Sequence, residues 1–385
     1  MRCDYLERDL CRSCTLLHLT YDAQVARKEA AVRGLLAPLD LPPEVWLPPV
    51  VSPDSRFRNK AKMVVGGTVA DPVLGIQSVE GPPGQVTDLT RCPLHDAAIE
   101  DALPELRRFV TTASLTPYDV ASRRGELKYL LVTANPDGGL MVRLVLRSRE
   151  AEVRIRKHLP ALLAALPTLA VVSLNIHPQH AAVLEGPEEI LLHGETLTMT
   201  VDGLPLHLRP RSFFQTNTAV ATALYRRATD WLTELRPHTL WDLYCGVGGF
   251  ALHAATALPD LEVLGVEVSA EAVASAERTA RDLGLRPEQA RFRADDAGAV
   301  ALGDPAGAPD VVVVNPPRRG IGPDLATWLE TSSAEHVLYS SCNAASLARD
   351  MAAMPSLRVE RAQVLDMFPH TDHYEVLVLL ARQRR

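Results

Sequence analysis

Apolar positions along this chain recur with two periods, and the change between them divides it into three stretches. Residues 21–36 repeat apolar side chains at helical spacing, between turn-rich runs such as Leu41-Pro42-Pro43 and Gly81-Pro82-Pro83-Gly84. From about residue 117 to 205 the pattern is that of strands, as in Tyr129-Leu130-Leu131-Val132 and Leu140-Met141-Val142-Arg143-Leu144-Val145-Leu146, with a helix near 150–165. From about 218 a regular rhythm begins: a helix to 235, a strand at 240–244, a helix, a strand at 263–268, a helix at 270–283, then strands near 292, 311–314 and 337–340. Apolar strands alternating with longer helices predict an α/β fold, a doubly wound parallel sheet of the nucleotide-binding kind covered on both faces. The expected organisation is an N-terminal segment over 1–95, whose 21–36 helix packs on the third domain, a small α+β middle domain over 96–209, and the nucleotide-binding domain over 210–385.

Composition narrows the class. Hydrophobic residues make up 47% and charged residues 23% of 385, too apolar for a disordered chain. The most apolar stretch, 159–174, is broken by Pro160 and Pro167 and is shorter than the ~20 residues a membrane span needs. The opening Met1-Arg2-Cys3-Asp4-Tyr5 has no apolar core of a signal peptide, so a cytoplasmic protein without a membrane partner is expected. A net charge of −7 does not attract polyanions, so any nucleic-acid surface must be local. No feature calls for an obligate protein partner.

The strand Trp241-Asp242-Leu243-Tyr244 runs into Cys245-Gly246-Val247-Gly248-Gly249-Phe250, and the next strand ends at Glu267, 21 residues after Gly246. Glycines allow a tight turn close to a ligand, and a carboxylate at that distance suits ribose hydroxyls. The run is G-x-G-G rather than G-x-G-x-x-G, and Asp242 precedes it. An aspartate there suits a cationic sulfonium or amino group better than a pyrophosphate, which favours S-adenosylmethionine over NAD.

Two further loops lie at the carboxyl ends of predicted parallel strands, where open α/β sheets gather ligands. They are Asn315-Pro316-Pro317-Arg318-Arg319-Gly320 and Ser340-Ser341-Cys342-Asn343. A thiol in that crevice has a purpose if the substrate is a pyrimidine: C5 of uracil becomes nucleophilic only after a thiolate adds to C6. A base must then remove the C5 proton. The late segment around His370, His373 and Glu375 supplies candidates, of which Glu375 is preferred; the alternative for this segment is a solvated surface hairpin.

Cys3, Cys11 and Cys14, with seven and two residues between them, are joined downstream by Cys92-Pro93. Four thiolates hold an iron–sulfur cluster or a tetrahedral zinc, and spacing does not choose between them. Basic residues gather at Arg56, Arg58, Lys60 and Lys62, at Arg123, Arg124 and Lys128, and at Arg143, Arg147 and Arg149, with Phe57 and Tyr129 interleaved. Alternation along a strand would project Arg58, Lys60 and Lys62 from one face, suiting a phosphate track; the plain alternative is a solvated strand face.

These motifs, together with Phe57-Arg58-Asn59-Lys60-Ala61-Lys62-Met63, Arg124-Gly125-Glu126-Leu127-Lys128-Tyr129, Ser212-Phe213-Phe214-Gln215-Thr216-Asn217 and His373-Tyr374-Glu375, resemble the RNA 5-methyluridine methyltransferases almost end to end, most closely the type acting on 23S ribosomal RNA. The resemblance implies a class I methyltransferase domain that methylates C5 of a 23S loop uridine, expected at position 747 and flipped out of its stack. It implies S-adenosylmethionine held by Gln215, Tyr244, Gly246, Glu267 and Asn315, with Cys342 as nucleophile and Glu375 as base. It implies a [4Fe-4S] cluster on Cys3, Cys11, Cys14 and Cys92, and RNA contacts at Arg58, Lys60, Lys62, Arg124 and Lys128. Asn315 departs from the more usual Asp of the PPR motif, and the family's small OB-like N-terminal domain is expected to be absent because Cys3 is nearly the first residue. Competing functions are C5-methylation of another rRNA or tRNA uridine, amino-methylation of a base, and a noncatalytic iron–sulfur RNA-binding assembly factor.

Overall fold

The computed structural model describes residues 1–78, 81, 84–180, 184–303 and 307–383. They divide into two compact units, one of residues 1–15 and 53–198, the other of 16–52 and 199–385.

The first unit is built on a seven-stranded sheet, ordered Val86–Asp88, Pro72–Gln77, Lys60–Gly67, Leu127–Ala134, Leu140–Leu146, Leu169–Ile176 and Glu188–His193. Neighbours are antiparallel except Leu140–Leu146 and Leu169–Ile176, which run parallel because helix Glu152–Ala165 lies between them in the chain. Along Lys60–Gly67 the side chains alternate: Ala61, Met63 and Val65 enter the core and Lys62 stays exposed. The core continues through Ile99, Leu103 and Leu106 of helix Ala97–Thr112 and through Ile155 and Leu162 of the second helix.

This sheet corrects the expected boundaries. Lys60 pairs with Thr133 and Met63 with Leu130, so segments on both sides of residue 95 share one hydrogen-bonded ladder and cannot be separate domains. Residues 16–52 belong instead with the second unit.

The second unit holds an eight-stranded sheet, ordered Trp46–Val50, Leu357–Leu365, Glu375–Arg382, His336–Ser341, Val311–Val314, Thr239–Leu243, Glu262–Glu267 and Ala290–Ala294. It is mixed rather than wholly parallel: Glu375–Arg382 runs antiparallel to both neighbours. Residues 366–374 contain no helix, and a short connection of that kind returns the chain antiparallel. Val311–Val314 is buried along its whole length, as expected of a strand covered on both faces. Helix Tyr21–Leu36, capped by the Thr20 side chain accepting from Ala23 N–H, buries Gln24, Lys28, Val32 and Leu36 at four-residue intervals. Val32 and Leu36 join Leu347 and Met351 in the core of this unit. Among the described residues no helix is long and apolar enough to cross a membrane.

Candidate active site

Strand Thr239–Leu243 ends in a turn that only a special backbone completes. Tyr244 takes φ +70°, Gly246 +56° and Gly248 +84°, and helix Gly249–Ala257 starts directly after. A side chain at Gly249 would meet the ring of Tyr225, from helix Thr218–Leu235, at 2.5 Å, so only glycine lets the loop approach that ring. Left-handed φ at Tyr244, which has no glycine-like freedom, is backbone strain of the kind concentrated at ligand sites. Glu267 meets this loop from the neighbouring strand: its Oε2 accepts from Gly246 N–H at 3.2 Å and its Oε1 from Ser269 N–H at 3.0 Å. The spacing of Gly246 and Glu267 thus becomes a contact, with the carboxylate oriented by two backbone donors.

Asp242 is fully buried, accepts from Ala251 N–H at 3.0 Å through Oδ2, and burial pushes its carboxyl up to about 7. Oδ2 fastens the first turn of the helix, and Oδ1 is a buried acceptor with no partner among the described residues. Tyr244 lines a cavity of about 560 Å³ together with Asp296, Arg319 and Arg349. Gln215 is buried just before helix Thr218–Leu235, while Phe213 beside it is 71% exposed.

The second half of the site is a meeting of strand ends. Antiparallel pairing of His336–Ser341 with Glu375–Arg382 sets Ser340 opposite Leu377 and Ser341 opposite Val376, and one step further along that register stand Cys342 and Glu375. Residues opposed in this way direct their side chains to the same face. Glu375 is 2% exposed; Ser340 Oγ donates to its Oε1 at 2.5 Å and Asn315 Nδ2 donates to the same oxygen at 3.2 Å. Burial pushes its carboxyl up to about 7, against the pull of those two donors.

Asn315 Nδ2 also donates to Ser340 O at 3.2 Å. Both amide hydrogens are therefore engaged within the protein, and the amide oxygen is the atom left to accept from a ligand. Burial, then the charge of Glu375, raise the Cys342 thiol, and a hydrogen bond from Arg318 opposes them. Arg318 Nη2 donates to His373 Nδ1 at 2.9 Å, which fixes that imidazole as the neutral Nε2–H tautomer.

In the first unit Cys3, Cys11, Cys14 and Cys92 line one cavity of about 160 Å³, walled by Met63, Leu89 and Leu94. Burial and mutual repulsion push Cys14 up to about 12 and Cys92 up to about 11. Among the described residues no three His, Cys, Asp or Glu side chains converge closely enough to hold a single metal ion.

A family model described as tRNA (uracil-5-)-methyltransferase matches residues 307–383, and one described as methyltransferase small domain matches 216–343. Over the whole length of both chains, this sequence is 49% identical to the 23S rRNA (uracil(747)-C(5))-methyltransferase RlmC of Cronobacter sakazakii and 46% identical to that of Escherichia coli K12. The chain belongs to this methyltransferase family. Its fold is that of the tRNA (uracil-54, C5)-methyltransferase of Pyrococcus abyssi, a structure 23% identical that matches with a TM-score of 0.79 over 97% of this chain and 86% of that one.

Two residues of the site, and one exposed ring near Gln215 in the chain, were not singled out by sequence reasoning. Phe213 sits inside a quoted motif, and its exposure is visible only in the fold. Arg318 read as part of a loop and Ser340 as an ordinary strand residue, because nothing local announces a partner 55 or 35 positions away.

The basic set divides. Lys62 and Arg124 are exposed. Lys60 is half-buried, and burial together with Lys62 and Arg143 lowers its ammonium to about 8. Two of the set are engaged within the protein. Arg58 lies against the cysteine cavity with its Nε donating to Lys60 O at 3.1 Å. Lys128 is 5% exposed, donates to Gln179 O at 2.6 Å and sits over the Tyr118 ring at 4.6 Å, so its charge is already satisfied.

Proposed function

We propose that this protein transfers the methyl group of S-adenosylmethionine to C5 of a uridine in 23S ribosomal RNA, at the position its relatives' names give as 747. The observation that carries the mechanism is the approach of Cys342, next after Ser341, to Glu375, next to Val376: Ser341 and Val376 are opposed in the antiparallel ladder, and the Glu375 charge acts on the Cys342 thiol. Tyr244, Gly246, Glu267, Gln215 and Asn315 would hold the cofactor, which when bound supplies an electrophilic methyl on a sulfonium sulfur.

The chain's own residues do the rest. The amide oxygen of Asn315 accepts the N3–H of the uracil, the edge a carboxylate would read in the same way. Arg318, hydrogen-bonded to Cys342, favours the thiolate. Sγ adds to C6, the C5=C6 electron pair moves onto C5, and C5 takes the methyl group. Glu375 Oε2, the oxygen not occupied by Ser340 and Asn315, removes the C5 proton. The C5–H electrons rebuild C5=C6 and the C6–Sγ bond breaks, returning the thiolate. Exposed Phe213 beside Gln215 offers a ring on which a flipped base stacks.

Amino-methylation of a base needs no thiol, and a noncatalytic assembly factor needs neither Cys342 nor Glu375. Incubation with labelled cofactor and 23S RNA, followed by digestion to nucleosides, yields 5-methyluridine under this reading and none with Cys342→Ala. Any other labelled nucleoside rejects it.

Cys3, Cys11, Cys14 and Cys92 would hold a [4Fe-4S] cluster. Four sulfurs bound to one zinc lie about 2.3 Å from it and so crowd together, whereas a cluster interposes its own irons and sulfides and needs the wider spacing of thiols around a cavity. Thiols raised so far by burial hold their protons, and each would release its proton to solvent as its sulfur bonded to a cluster iron. Its role would be structural, tying residues 1–15 to the seven-stranded sheet. Anaerobically purified protein with four irons and visible absorbance supports this; iron-free protein excludes it.

A further inference from the structure

We propose that Ser340 is a positioning residue for the methylation reaction: its hydroxyl, with the Asn315 amide, engages one oxygen of Glu375 and so aims the other at the proton on C5. The inference rests on Glu375 being the base of the reading above.

The geometry follows from the pleat. Ser340 is opposed to Leu377, and Glu375, two residues from Leu377 on the same strand, faces the same side of the sheet. Ser340 is therefore the diagonal neighbour of Glu375 across the ladder, within reach of a short side chain. Its Oγ, wholly buried, donates to Glu375 Oε1 at 2.5 Å. Asn315 donates to the same oxygen, and its second amide hydrogen is tied to the Ser340 carbonyl. Ser340 thus acts twice, through its hydroxyl on Glu375 and through its carbonyl on the group that holds Glu375.

Other groups facing Glu375 leave its ionisation to these donors. Tyr225, from helix Thr218–Leu235, keeps its proton through burial and the charges of Asp242 and Glu375, and burial and the Glu375 charge raise the Cys342 thiol. Asp366, following its strand partner Leu365, is ion-paired with Lys28. In the proton transfer the C5–H bond breaks, the proton passes to Oε2, and the C6–Sγ bond breaks as C5=C6 forms. Donors on Oε1 stabilise the ionised carboxylate that starts this step and hold the syn face of Oε2 toward the ring.

The test is Ser340→Ala in the full-length protein with unmodified 23S RNA. Loss of one donor to a charged group moves the acidic limb of the turnover profile up by about one pH unit, roughly tenfold slower turnover below that limb. Elimination becomes slower than addition, so a denaturant-stable RNA–protein adduct accumulates where the parent protein shows little. With 5-fluorouridine RNA, whose C5 carries no removable proton, Ser340→Ala must trap RNA at the parent rate, because nucleophile and fold are intact. A parent-like pH profile without adduct overturns the proposal, and so does loss of fluorouridine trapping, which would mark Ser340 as merely structural. Glu375→Gln separates the two layers: if it stalls while Ser340→Ala is normal, Ser340 has no such role; if Glu375→Gln turns over normally, the base assignment itself fails.

Discussion

Lys28 and Asp366, 338 positions apart, are joined by a 2.5 Å ion pair in which each side chain is at most 2% exposed. The same ammonium donates to Phe368 O at 2.9 Å, Tyr21 Oη donates to the other oxygen of Asp366 at 2.7 Å, and Gln24 Oε1 accepts from His370 N–H at 3.0 Å. One face of helix Tyr21–Leu36 therefore fastens residues 366–370, the stretch that leads into Glu375.

Removing one partner of a buried pair leaves an uncompensated charge. Lys28→Met is expected to lower stability by about 3–5 kcal/mol, while pairing it with Asp366→Leu recovers much of the loss. Denaturant unfolding of the single and double variants measures both; equal stability of Lys28→Met and the parent protein would refute the role given to the pair.

Glu375→Gln should stop turnover and leave RNA covalently held, while making the protein more stable near neutrality. The sign follows from linkage. Folding raises this carboxyl from 4.5 to about 7, so the native state holds a proton that the unfolded chain has released. Its contribution is fully present below about pH 4.5 and is lost as pH rises toward 7. Stability of the parent protein relative to Glu375→Gln must fall across that window, as thermal unfolding at several pH values will read. Activity moves the opposite way and rises through about pH 7 as the base ionises.

Arg318→Ala removes the cation that favours the Cys342 thiolate. The rate of adduct formation with 5-fluorouridine RNA should fall by tenfold or more, with the deficit shrinking at alkaline pH where the thiol ionises unaided. A pH-independent deficit would assign Arg318 to RNA binding instead.

Lys62→Ala and Arg124→Ala should each weaken RNA affinity uniformly and reduce the salt slope by about one. Lys128→Ala should leave the slope unchanged and lower stability, since its ammonium is spent on Gln179 O and the Tyr118 ring. A reduced slope for Lys128→Ala would reverse the assignment.

Local sequence determined what local physics governs. The helix over residues 21–36, the strand–glycine turn–helix at 239–257, and the loops bearing Asn315 and Cys342 were legible because burial period and turn chemistry are written in neighbouring residues. The pairing of strands was not written there. That Lys60–Gly67 zips onto Leu127–Ala134 joined two expected domains into one unit, and it took the helix of residues 21–36 away from the segment around it. Only the folded ladders set Ser340 beside Glu375, Arg58 against the thiols and Lys128 under Gln179, because each contact depends on which distant strand lies alongside, and periodicity records only which face of a residue is buried.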